Sequence, residues 1–213
     1  NKHALQLARD IGGKQLEGTT LGNLGNAYLS LGEYHKAIEY YEQAVNIAKN
    51  TGNKQWTGNS LVNLGNAYFD LKKYDEAIKA YARAIELDSK FERASYNLSR
   101  LYLETNRVDD AVSVLEDLSR EDEGNSIVLN TLAYAYTLQD KEDEALEIYL
   151  QVLERSPYEK NALYNVSIIL WNRGDLKEAR ASFYTLYELD TQDSIVLYNL
   201  GLIEIELENR EKG

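Results

Sequence analysis

Cysteine is absent from the chain, which excludes disulfides, thiolate nucleophiles and thiolate metal sites together. A cysteine-free sequence suits either side of a membrane. Methionine is absent as well; with no initiator, the expectation is a fragment of a longer protein. Pro157 is the one proline, and no Gly/Ser-rich or low-complexity stretch marks a linker. No apolar run approaches the ~18 residues of a membrane span, and no signal-peptide pattern opens the sequence. His3 and His35 are the only histidines. Neither has a carboxylate–nucleophile set beside it, so acid–base catalysis and metal binding lack parts. The expectation is no enzyme, no metal and no cofactor.

Positive charge is also in short supply: 23 basic residues stand against 35 acidic ones, for a net charge of -12. The deficit deepens along the chain, from 6 basic and 5 acidic in residues 1–57 to 8 and 16 in residues 126–213. An acidic chain repels phosphate backbones, which argues against nucleic acid as a partner. Most of these charges solvate outer helix faces.

What the chain does have is a register. Gly25, Gly65, Ser99, Ala133, Ser167 and Gly201 follow one another at steps of 40 and then 34 residues, and Ala37, Ala77, Ala111, Ala145 and Ala179 keep the same steps. A fixed period in this range means a repeat array, a quasi-one-dimensional stack. In residues 92–125, Leu98, Ser99 and Tyr102 share one face of a first helix, Asn106–Arg107 reads as a short turn, and Ala111, Leu115 and Leu118 line a second helix at i, i+4, i+7. Small residues at the first helix's centre and early in the second let two backbones approach, and aromatics and leucines fill the gaps between pairs. Residues 126–159 repeat this with Leu129, Leu132, Ala133, Tyr136, Ala145, Tyr149 and Val152, and Pro157 falls where the second helix should stop.

This pattern resembles the tetratricopeptide repeat, a helix–turn–helix unit of 34 residues. In the unit's own counting, a small residue stands at place 8, Ala at place 20 and an aromatic at place 24; Gly25, Ala37 and Tyr41 fill these in the first full unit, Gly65, Ala77 and Tyr81 in the second. Ser95 at place 4, Glu204 at place 11, and Leu118, Val152 and Leu186 at place 27 depart from the pattern and suggest looser packing. The first step is longer by residues around 48–55, and residues 4–18 align with 44–58 at an offset of 40. With Leu24-Gly25-Asn26 and Leu64-Gly65-Asn66, the N-terminal units look like the 40-residue Leu-Gly-Asn, or Partner-of-Inscuteable, variant. A further first helix is expected over residues 194–207, with 208–213 too short for its partner.

The resemblance implies that first helices line a concave side, where places 6 and 9 share one stripe. Place 6 holds Asn23, Asn63, Asn97, Thr131, Asn165 and Asn199; place 9 adds Asn26 and Asn66. Asparagine costs a helix interior up to ~0.7 kcal/mol against alanine, so its recurrence asks for a reason. A carboxamide matches both the N–H and the C=O of a peptide unit. The stripe looks like the asparagine ladder with which tetratricopeptide superhelices, as in O-linked glycosyltransferase scaffolds, grip extended peptides. The other reading is that each Asn bonds within its own unit or to the next. Toward the C-terminus the concave places turn apolar and aromatic, with Ile127, Tyr134, Leu138, Tyr164, Ile168, Trp171, Tyr198, Leu202 and Ile205. These are either hot-spot positions or ordinary inter-repeat core.

The family's carboxylate clamp for chaperone tails is incomplete: Asn26 and Asn63 fit it, but Gly22 replaces the first Lys and Asn97 the Arg. Arg93 and Arg100 flank Asn97 and either hold an anion or balance Glu104. Glu121-Asp122-Glu123 reads as a solvated turn, and the sequons at Asn97 and Asn165 fall in mid-helix, where a sugar does not fit.

The expected architecture is all-α: a right-handed α-solenoid of five complete repeats and a partial repeat at each end. It forms one domain over 1–213, with repeats 18–57, 58–91, 92–125, 126–159 and 160–193 between partial repeats 1–17 and 194–213. The expected function is a cytoplasmic protein–protein interaction scaffold whose partner is a protein or extended peptide. That partner is gripped by Asn23, Asn26, Asn63, Asn66, Asn97, Arg93, Arg100, Tyr134, Tyr164, Asn165, Trp171, Tyr198 and Asn199. Two further readings are the recognition arm of a larger enzyme or signalling protein, and a module that self-associates through its open C-terminal helix.

Overall fold

The computed structural model describes residues 2–88 and 91–212, with side chains at 3–88 and 91–210. Asn1, Ser89, Lys90 and Gly213, which the expected repeat boundaries include, lie outside the described residues. Among those described there are twelve helices and no strand: α1 (Lys2–Asp10), α2 (Lys14–Ser30), α3 (Tyr34–Asn50), α4 (Lys54–Asp70), α5 (Tyr74–Leu87), α6 (Glu92–Glu104), α7 (Val108–Glu121), α8 (Ser126–Leu138), α9 (Glu142–Arg155), α10 (Lys160–Arg173), α11 (Leu176–Leu189) and α12 (Ser194–Lys212). The chain is an all-α solenoid of helical repeats, as its period predicts. Two compact units divide it, Asn1–Val114 and Leu115–Gly213.

The turn inside each helix pair recurs at one position. Gly32, Lys72, Asn106, Asp140 and Gly174 all take positive φ, between 58° and 84°. There the helix end closes with crossed backbone bonds, as where Lys72 N–H reaches Phe69 O and Lys73 N–H reaches Tyr68 O, both at 2.8 Å. Glycine takes this left-handed backbone freely and Asn or Asp at modest cost, whereas Lys72 has neither advantage. Gly12 and Gly52, with φ of 73° and 71°, make the turns into α2 and α4. The extra residues of the first step lengthen α3 and α4 to 17 residues each, a length α2 shares, against 14 in α5 and 13 in α6.

Start signals sit where capping chemistry asks for them. Asn53 Oδ1 accepts from Trp56 N–H, Asn125 Oδ1 from Val128 N–H, and an Asp193 carboxylate oxygen from Val196 N–H. α9 stops at Arg155, two residues before Pro157. α12 runs past the expected end at Leu207, because no turn residue interrupts it and Arg210 bonds back to Glu206 at 3.2 Å.

The core is built on backbone proximity. The alanines at 37, 77, 111, 145 and 179 have no exposed surface, and neither do Ser99, Ala133 and Ser167. A Cβ on Gly25 would meet the Tyr41 ring at 2.6 Å, and one on Gly65 the Tyr81 ring at 2.5 Å. Gly18 and Gly58 likewise make room for Trp56 and Phe91. The larger residues Leu118, Val152 and Leu186 are buried. Gly201 keeps the register but is exposed, and a Cβ there meets nothing within 4 Å.

Gly65→Ala is therefore expected to destabilise the chain by about 1–3 kcal/mol through overpacking against Tyr81. Gly201→Ala should stabilise it by up to about 1 kcal/mol, because only helix propensity changes. Urea unfolding of both variants checks the contrast.

Candidate functional site

In the first unit, α2, α4 and α6 border one cleft of about 300 Å³. Leu29 and Phe69 give it apolar walls, Asp70 and Arg100 bring one charge of each sign, and Asn66, Asn97 and Tyr81 supply its hydrogen-bonding groups. Tyr81 is fixed by the core: its ring lies on Gly65 and only 2% of it is exposed. Its hydroxyl emerges at the cleft and donates to Asn66 Oδ1 at 2.7 Å. The same oxygen accepts Asn97 Nδ2 at 2.9 Å. Asn66 Oδ1 is thereby used up, while the Asn66 Nδ2 group and Asn97 Oδ1 remain as a donor and an acceptor on adjacent helices.

Neither Asp70 nor Arg100 forms an ion pair among the described residues. Desolvation raises the Asp70 carboxyl above its ordinary value. Burial raises the Tyr81 hydroxyl and nearby Asp70 adds to it, while Arg100 opposes them.

The amide–tyrosine bond is a repeated device. One repeat earlier, Tyr41 donates to Asn26 Oδ1 at 2.5 Å from a ring that is 1% exposed. In the second unit Tyr149 is fully buried at the same place, but Tyr134 stands where Asn would be, and the Tyr149 hydroxyl has no partner. One repeat further, Phe183 removes the hydroxyl and Ile168 replaces the amide.

Of the sequence-predicted positions, the structure brings Asn66, Asn97 and Arg100 together. Asn26 is bound to Tyr41, and Asn165 Nδ2 turns back to Asn161 O of its own helix at 2.8 Å. Asn23 and Arg93 are exposed and Asn63 half-buried. In the second unit Tyr134 and Tyr198 stand 47% and 66% exposed. Tyr164 and Trp171 instead pack edge-on to Phe183, Trp171 Nε1 donates to Glu206 at 2.9 Å, and buried Asn199 reaches the Tyr164 hydroxyl at 3.4 Å. Sequence reasoning missed Leu29, Phe69, Asp70 and the role of Tyr81. The available signal was the pairing itself: Asn at place 9 directly follows Gly at place 8 in two units, and both of these carry Tyr at place 24.

Among the described residues, no group of three or more His, Asp or Glu is placed to hold a metal ion, and no helix is long and apolar enough to cross a membrane.

Family models described as tetratricopeptide repeat match residues 2–50 and 16–90, 68–133, and 130–194. No curated protein matches the sequence. Among solved structures, a tetratricopeptide repeat protein from Parabacteroides merdae superimposes with a TM-score of 0.77 at 18% identity, over 92% of this chain and 75% of that one. MamA of Desulfovibrio magneticus RS-1 gives 0.71 at 21% identity, over 83% and 97%. YrrB, described as a TPR protein with an unusual peptide-binding site, gives 0.70 at 17%, over 92% and 97%. At these identities the likeness is one of fold.

The hydroxyls make two predictions. Tyr81→Phe should cost about 1 kcal/mol by deleting a satisfied bond, whereas Tyr149→Phe should be neutral or stabilising by about 1 kcal/mol, since it removes an unpaired buried group; thermal unfolding of both variants decides. Burial, with Asp70 second, raises Tyr41 from 10.0 to about 12. A raised folded value favours the neutral form, so its stabilising contribution is whole below pH 10 and lost as pH climbs through about 12. Tyrosinate absorbance and helical circular dichroism should change together in that window.

Proposed function

The chain belongs to the tetratricopeptide repeat family, and we propose on that premise that it is a protein–protein interaction scaffold. It binds an extended peptide, or an extended segment of a partner, along its first helices. The observation that carries this reading is the shared oxygen of Asn66. By accepting from both Tyr81 and Asn97, it leaves Asn66 Nδ2 and Asn97 Oδ1 as a complementary pair for a peptide unit's C=O and N–H.

The amide stripe thus acts through a fixed few members rather than as a uniform ladder. Asn66 and Asn97 contact the backbone in the first unit, with Asn23 and Asn63 beside them on the same stripe, and Arg100 and Arg93 favour acidic side chains. Asn26 and Asn199 serve chiefly to hold helices together, and Asn165 is tied back to its own helix. In the second unit, exposed Tyr134 and Tyr198 are the contact positions, backed by Tyr164 and Trp171. Polar-tipped aromatics suit such a role because they bury much area at low entropic cost. No catalytic step belongs to this reading. The one-turn extensions of α2, α3 and α4 support assigning the first repeats to the 40-residue Leu-Gly-Asn variant, with the repeat boundaries given by the period.

Peptides selected on the intact chain from a random library provide the test. Asn63→Ala combined with Asn97→Ala should weaken binding of unrelated peptides by a similar factor, about tenfold, because main chain is being gripped. Unchanged affinities, with unfolding midpoints preserved, refute the amide grip.

A further inference from the structure

Helical spacing puts Leu61, Leu64 and Tyr68 on the face of α4 opposite Asn66, Phe69 and Asp70. That second face floors a separate groove of about 390 Å³ between α3 and α5. Val45, Leu61 and Leu64 make the floor apolar. Lys49 of α3 and Lys79 and Arg83 of α5 stand on its rim, all exposed. None of the three forms an ion pair among the described residues. In the same unit Arg9, Lys14 and Lys36 are each paired to a carboxylate.

Two carboxylates also border the groove. Glu42 is held by the Tyr68 hydroxyl at 2.8 Å, and Glu76 lies on α5. The balance at the rim is still positive, in a chain whose net charge is -12. Three convergent cations without partners attract negative charge. The apolar floor selects against a bare anion, which would leave it hydrated, and favours a ligand that also buries hydrocarbon.

We propose that this groove is a second docking surface, distinct from the amide cleft, and that its occupant is an acidic segment of a partner protein presenting a bulky apolar side chain. The apolar group sits on Val45, Leu61 and Leu64, and flanking carboxylates meet Lys49, Lys79 and Arg83.

The test uses the whole chain and a fluorescein-labelled peptide of Asp and Glu residues around a central Leu-Phe pair, followed by anisotropy. Lys79→Glu with Arg83→Glu should lower its affinity at least about tenfold, as should replacing Leu-Phe by Ser-Ser in the peptide. With Asn63→Ala and Asn97→Ala already in place to weaken the amide cleft, the same charge reversal should still lower the affinity by a similar factor, which separates this surface from the amide cleft. Circular dichroism establishes that each variant is folded. The proposal falls if the probe does not bind, if charge reversal leaves binding intact, or if charge reversal has no effect once Asn63 and Asn97 are replaced. It also falls in favour of a second copy of the chain if mass rises with concentration and charge reversal abolishes that rise.

Discussion

The buried tyrosine ring lying on a glycine backbone is the constraint from which the first unit is organised. At Gly25 and Gly65 the approach is too close for any side chain, so two helices are locked at a separation set by the thickness of an aromatic ring. A ring so placed carries its hydroxyl to the residue next to the glycine. A buried hydroxyl without a partner costs about 1–3 kcal/mol. The asparagines at 26 and 66 meet that demand. Core packing therefore dictates the orientation of surface amides, and the cleft's hydrogen-bonding groups are pre-organised by the same contact that joins the helix pair.

The second unit relaxes this arrangement in different ways, beginning with Leu115, which has no ring at all. Tyr149 keeps the ring and loses the amide, so its hydroxyl is stranded. Phe183 keeps only the ring, and the polar demand disappears with it. The place that holds Asn in the first two full repeats holds Arg100, Tyr134 and Ile168 in the next three, so an amide stands there only where a tyrosine ring lies on glycine.

The period, the buried alanines and the helix pairs were legible because each depends on spacing, and spacing is what a sequence records. Asn106 announced its turn, since Asn tolerates positive φ, whereas Lys72 takes the same backbone with no signal in its chemistry. The asparagine stripe was legible as a set of residue types but not as a set of directions. Asn66, Asn97 and Asn165 share a stripe, yet one accepts twice, one donates to its neighbour and one turns to its own backbone. Those choices depend on whether a hydroxyl arrives from the second helix, a contact that lies outside any single helix's periodicity. Trp171 was legible as a large aromatic but not by its contacts: its ring packs edge-on to Phe183, and its Nε1–H donates to Glu206.

α4 links the two surfaces argued for the first unit, because Asn66 and Leu64 are two residues apart on one rigid element. In a stack where each repeat contacts only its neighbours, stability is a sum of repeat and interface terms. A ligand on either face of α4 stabilises the folded state of that repeat by an amount set by its concentration relative to its dissociation constant. Two ligands bound to the same folded repeat therefore support one another only insofar as the repeat opens between binding events. The ring-on-glycine lock at Gly65 and Tyr81 opposes such opening. Loosening that lock would strengthen the coupling between the two faces while weakening each site, so coupling and pre-organisation are opposed at a single contact.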